Sequence, residues 1–275
     1  VTKLLGELNI DTYKQFDSGK KIIETRKKLK IYNSSIPKLG MHAVLDLYAT
    51  MFRLNSNAKK LNTLQPFANY ELAKKLDSLS LERFALGKFH AADSRTILDA
   101  AIRTVWGIEM NQTNALFALN CVRSAPDAKI ESLVLTDKNC AQEKRVRGGT
   151  QNICQKLLDY VMNDARSSSR ESYSKILLNT CLKEVIQHET RENELCEIVV
   201  EHMVTREHQS FKCKRLISSM PLNQYVHVRF EPELPYFKRN VFKFSQMGNL
   251  CKVLVTYERP FWRTKGYSGE VVSGK

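Results

Sequence analysis

The apolar residues of this chain change their spacing part-way along it, and that change constrains the fold more than any other feature. Through residue 145 they recur three and four positions apart, the period of a helix face; over the last hundred residues they cluster and alternate as in strands. Val1, Leu4, Leu5 and Leu8 share one helical face, and positions 41, 44, 45, 48, 51 and 52 predict a second amphipathic helix from Met41 to Leu54. Asp93-Ser94 reads as the N-cap of a third, with Ile97, Ala100, Ala101, Thr104 and Val105 facing inward. A fourth carries Ala115, Leu116, Leu119 and Val122, and another follows Gly148-Gly149 with Ile153, Leu157, Leu158 and Val161. Thr12 to Phe16 and Ile22-Ile23 flank Asp17-Ser18-Gly19, which predicts a hairpin. A second hairpin is expected from Leu182 to His188 and Leu195 to Glu201 around Thr190-Arg191-Glu192-Asn193. Phe211 to Ser218, Tyr225 to Phe230 and Leu250 to Tyr257 read as extended, and the serine-rich Ala165 to Lys175 as a loop. The sum is an α+β, or mixed α/β, chain.

At 43% hydrophobic with only 7 prolines, the chain is too apolar to be disordered. No run nears the roughly 18 apolar residues of a spanning helix, so no transmembrane segment is expected. The beginning at Val1 and the abrupt end at Lys275 read as a piece of something longer. Seven scattered cysteines without a Cys-x-x-Cys point to a reducing, intracellular compartment and to no metal site. His188-Glu189-x-x-Glu192 lacks the second histidine of a zinc helix. The net charge of +14 favours acidic partners in general. Its densest run, Arg26-Lys27-Lys28-x-Lys30, has no interleaved aromatics, so it reads as a solvated face and no nucleic acid is expected.

Two features stay open on residue chemistry alone. Gly148-Gly149 offers either a bare backbone for an anion at a helix start or only a tight connection. Lys252 falls on the face of Leu250 and Leu254, where it is either a buried amine of depressed pKa or an edge-strand lysine that blocks aggregation. No nucleophile elbow or glycine-rich dinucleotide loop occurs, and Gly269-x-x-x-x-Gly274-Lys275 lacks the Ser/Thr of a phosphate loop.

Several short motifs, in order, decide more. Arg147-Gly148-Gly149, Ile217-Ser218-Ser219-Met220-Pro221, and Gly248-x-x-x-Lys252 followed by Pro260-Phe261-Trp262-Arg263 together resemble the flavin-containing monoamine oxidase family. Gln142-Glu143-Lys144-Arg145, Thr190-Arg191-Glu192-Asn193, Phe230-x-Pro232-x-Leu234-Pro235 and the opening Leu5 to Lys14 fit the same frame, so the likeness spans nearly the whole chain.

The resemblance implies two interwoven domains, a partial FAD-binding domain and a substrate domain of mixed sheet and helices. On that mapping, residues 1–143 and 221–275 belong to the substrate domain and 144–220 to the middle of the FAD domain. It implies FAD as cofactor and oxidation of a primary, arylalkyl monoamine by O2 to aldehyde, ammonia and hydrogen peroxide. Lys252 matches a lysine that holds a water at the flavin. Gly148, Gly149, Leu182, Ser219, Met220 and Pro221 match cofactor contacts, and Gln142, Leu135, Val134, Ile97, Ala100 and Thr104 match the substrate cavity. The family's glycine-rich pyrophosphate loop, flavin-tethering cysteine and membrane-anchoring helix have no counterpart in these residues, so the isolated chain is expected to turn over little amine. A full-length relative could reside at the mitochondrial outer membrane. The alternatives are a polyamine oxidase-type enzyme, whose pocket would carry acids, or a non-catalytic amine-oxidase-like binding protein.

Overall fold

A computed structural model describes residues 2–25, 29–34, 37, 39–86, 91–167, 176–188 and 195–273, the side chains of 164–167 excepted. In chain order the elements are α1 (Thr2–Glu7), β1 (Thr12–Lys14), β2 (Lys20–Glu24), β3 (Leu29–Tyr32), α2 (Met41–Ala58), α3 (Tyr70–Asp77), α4 (Leu81–Leu86), α5 (Ala92–Trp106) and α6 (Ala115–Ser124). There follow β4 (Lys144–Val146), α7 (Gln151–Ser167), β5 (Thr180–His188), β6 (Leu195–His202), β7 (His208–Cys213), β8 (Arg229–Glu231), α8 (Tyr236–Phe244), α9 (Phe261–Thr264) and β9 (Tyr267–Ser273). The fold is α+β.

The chain divides into two compact units, residues 1–158 with 249–275, and residues 159–248. The mapping from the resemblance places its boundaries at 143/144 and 220/221; the compact units part at 158/159 and 248/249.

The first unit is organised by a helical core. Leu54 and Ala58 of α2, Ala73 and Leu76 of α3, Leu98 and Ile102 of α5, and Leu116, Leu119 and Val122 of α6 are buried together. On α5, Ser94, Leu98 and Ile102 recur every four residues and turn one stripe into this core. Two small sheets complete the unit. β1 pairs antiparallel with β4, and β2 lies between antiparallel β3 and parallel β9. The Arg263 guanidinium of α9 sits 3.8 Å from the Phe16 ring centroid, a cation–π contact that ties the late Phe-Trp-Arg motif to the start of the chain. The second unit is a four-stranded sheet in the order β7-β6-β5-β8, with β8 parallel to β5 and the other pairs antiparallel. Beside it, the Tyr225 ring stacks on Phe242 of α8 at 4.6 Å.

Several sequence expectations are corrected here. The first hairpin does not form: β1 pairs with β4, and β2 turns instead to β3 and β9. Gly19, at φ +113°, packs against the Gly266–Ser268 backbone where β2 starts alongside β9 rather than back along β1. On α2 the buried residues are Ala43, Leu47, Thr50, Leu54 and Ala58, whereas Met41, Leu45, Tyr48 and Phe52 are exposed. The buried stripe recurs at three- and four-residue steps, turned about the helix from the expected one. The N-cap of α5 is Ala91, and Asp93-Ser94 lie in its first turn. Residues 222–227 form a 3-10 turn, leaving β8 only three residues. Residues 250–257, read as extended, form no strand and pair with none of the described strands. The loop expected from Ala165 begins inside α7; its remainder, residues 168–175, lies outside the described residues, as do residues 189–194 between β5 and β6 and Arg26-Lys27-Lys28.

Candidate active site

In the first unit a cavity of about 370 Å³ opens between α5, the segment 133–142 and the β2–β9 pair. Helix α5 has two inward faces. Its Leu98–Ile102 stripe packs into the core, and the neighbouring Ile97, Ala100, Ala101 and Thr104 line the cavity. Val134, Leu135, Thr136 and Gln142 form the opposite wall, and Ile23, Tyr32, Val271 and Val272 close it from the sheet. All six residues matched to a substrate cavity, Ile97, Ala100, Thr104, Val134, Leu135 and Gln142, therefore meet around one space.

Polar groups in this wall are held in place. Thr104 Oγ1 donates to the Ala100 carbonyl at 2.7 Å, and Gln142 Nε2 donates to the Leu133 carbonyl at 3.4 Å. Thr136 Oγ1 donates to Asp17 Oδ2 at 2.7 Å, which fastens the 133–142 segment to the chain ahead of β2. Both α5 and the 133–142 segment are also braced from α2. Ala91 N–H and Ser94 Oγ donate to Asp46 Oδ2 at 2.6 and 2.7 Å, and Ile130 N–H donates to Asn55 Oδ1 at 2.9 Å.

Three further residues, Lys21, Tyr32 and Glu270, bring a polar cluster with one ion pair to the cavity and were missed in the sequence. Lys21 Nζ lies 2.8 Å from Glu270 Oε2, and the Tyr32 hydroxyl donates to Glu270 Oε1 at 3.3 Å. Burial, then the adjacent Glu270 carboxylate, raise the Tyr32 phenol well above its ordinary range, so it stays protonated and donates. No local pattern announces this cluster: Tyr32 and Glu270 are 238 positions apart and meet only through the strand order β3-β2-β9.

The residues matched to cofactor contacts are distributed over both units. Gly148 and Gly149, at φ +79° and +84°, open the turn before the 17-residue helix α7. A Cβ on Gly149 would meet nothing within 4 Å, so the turn presents bare, accessible backbone, as close approach of a dinucleotide requires. Leu182 lies in β5 opposite Val200, and Ser219, Met220 and Pro221 lead into the 3-10 turn at Leu222. Lys252 is exposed on the unpaired 250–257 segment, which corrects the strand expected there and excludes the buried-amine alternative.

The sequence profile described as flavin containing amine oxidoreductase matches residues 1–274. The chain belongs to that family. A protein of Mycobacterium tuberculosis assigned as a flavin-containing monoamine oxidase, AofH, is 26% identical over 273 residues, covering 99% of this chain and 55% of its own. Among solved structures, putrescine oxidase bound to putrescine superposes with a TM-score of 0.81 at 20% identity, over 100% of this chain and 56% of that one. Cyclohexylamine oxidase from Brevibacterium oxydans gives 0.78 at 17% identity, over 99% and 55%. At these identities the structural likeness shows the fold. The chain spans about half the length of the curated relatives it matches. FAD is the cofactor of this flavin-containing family. Among the described residues no helix is long and apolar enough to cross a membrane.

Proposed function

We propose that the chain supplies the amine-binding part of an FAD-dependent oxidase acting on a primary arylalkyl monoamine. In the overall reaction, R–CH2–NH2, O2 and H2O give R–CHO, NH3 and H2O2. The observation that carries this reading is the convergence of Ile97, Ala100, Thr104, Val134, Leu135 and Gln142 on one cavity of about 370 Å³. A largely apolar space with an amide in its wall suits an aryl group carried on a short amine. Thr104 already donates its hydroxyl proton to Ala100, so toward a ligand its oxygen acts as an acceptor, as an ammonium needs.

FAD, when bound, accepts the hydride equivalent from the amine carbon. Gly148, Gly149, Leu182, Ser219, Met220 and Pro221 are the residues assigned to hold it, on the strength of their match to the family. Lys252 is assigned to positioning a water by donation from Nζ, a role its exposed ammonium is chemically equipped to fill.

Titration of the chain with 2-phenylethylamine, followed by NMR, tests the reading. Shifts concentrated at Ile97, Ala100, Val134, Leu135 and Gln142 are expected. Saturable shifts elsewhere, or none at millimolar amine, would overturn it.

A further inference from the structure

We infer that Lys21 sets the class of amine the cavity accepts: its ammonium occupies the place at Glu270 that the far ammonium of a diamine would take. The inference rests on the cavity being the amine site. Lys21 and Glu270 are the only charged side chains among the described residues that line it, and their formal charges cancel.

The geometry shows how fully Glu270 is engaged. Lys21 Nζ stands 2.8 Å from Oε2 and the Tyr32 hydroxyl donates to Oε1 at 3.3 Å, so each carboxylate oxygen already has a partner and the ammonium balances its charge. The Lys21 side chain is 12% accessible and that of Glu270 39%, so the ammonium is the more deeply buried member. Adjacent strands place the pair side by side, with Ile22 of β2 opposite Val271 of β9.

A diamine entering this space would bring a second cation beside Lys21 with no unpaired carboxylate to meet it. Like charges brought together repel, whereas an aryl tail escapes that cost. Replacing Lys21 by methionine keeps an unbranched chain of similar length and removes the charge. Glu270, still held by Tyr32, would then be available to a distal ammonium through a charge-assisted hydrogen bond.

The experiment is calorimetric titration of the chain and of Lys21→Met with butane-1,4-diamine and with 2-phenylethylamine. The variant should bind the diamine about tenfold more tightly than the parent, while 2-phenylethylamine changes by less than about threefold. Adding Glu270→Gln to Lys21→Met should abolish the gain. Should Lys21→Met fail to fold, Lys21→Gln offers the same loss of charge with a polar tip, and the same gain is expected of it. Unchanged diamine affinity in a folded variant that still binds 2-phenylethylamine would overturn the role of Lys21 and leave the amine cavity standing. Absence of any amine binding in parent and variants would overturn the cavity reading itself, and this inference with it.

Discussion

Asn55 holds Ile130 across 75 positions of sequence: the Ile130 N–H donates to Asn55 Oδ1 at 2.9 Å. The same amide donates from Nδ2 to Glu131 Oε2 at 3.0 Å, so one side chain on α2 anchors the 3-10 turn that leads into Val134 and Leu135. Asn55→Ala should leave the Ile130 N–H without its partner and cost about 1–3 kcal/mol. Urea unfolding should show a lower midpoint at unchanged m-value, and the Val134 and Leu135 resonances should broaden. An unshifted midpoint would show that the turn does not depend on this amide.

Asp46 braces the other cavity wall. Helix α5 has no side-chain cap of its own at Ala91, and Asp46 supplies the missing acceptor to Ala91 N–H and to the fully buried Ser94. Asp46→Ala should destabilise the first unit by about 1–3 kcal/mol and increase amide exchange over the first turn of α5. Exchange confined to α2 would refute a capping role.

Gly19→Ala tests the joint between β2 and β9. A Cβ there would lie 2.8 Å from the Tyr267 carbonyl carbon and 2.9 Å from the Ser268 nitrogen, both backbone atoms, at φ +113°. Strain and overlap together should cost on the order of 2–4 kcal/mol and disrupt the Lys20 N–H to Gly266 O bond that starts the pairing. A thermal midpoint equal to the parent's would argue that β9 docks independently of this turn.

Glu201 should contribute to the acid sensitivity of the second unit, as should Glu197, whose carboxyl is likewise held low by hydrogen bonds from Ser210 and His188. Hydrogen bonds from Lys183 and Arg206 hold the Glu201 carboxyl below the usual carboxylate range. Because the folded-state value is the depressed one, this stabilisation is present above the ordinary carboxylate pKa and is lost as pH falls through the lowered folded value. Glu201→Gln should therefore flatten the acid limb of stability against pH while changing little once the pH lies below the lowered folded value. An identical acid limb in the variant would assign the titration elsewhere.

The sequence by itself determined where spacing is local and the environment one-sided. Ala115, Leu116, Leu119 and Val122 are all buried on α6, as their spacing requires, and the Leu182–His188 and Leu195–Glu201 runs pair as β5 and β6. Ordered motifs also carried the family, because a series of short matches survives where overall identity is 26%. Tertiary structure decided the rest. Which apolar face of α2 turned inward depended on where α5 and α6 packed against it, and α5 proved to serve a core and a cavity at once. The Lys21–Glu270–Tyr32 cluster exists only because β2 takes partners from both ends of the chain. Hydrophobic period records that a residue prefers burial; it carries no record of which distant strand will satisfy the backbone, and the charge balance of the cavity is set by that choice.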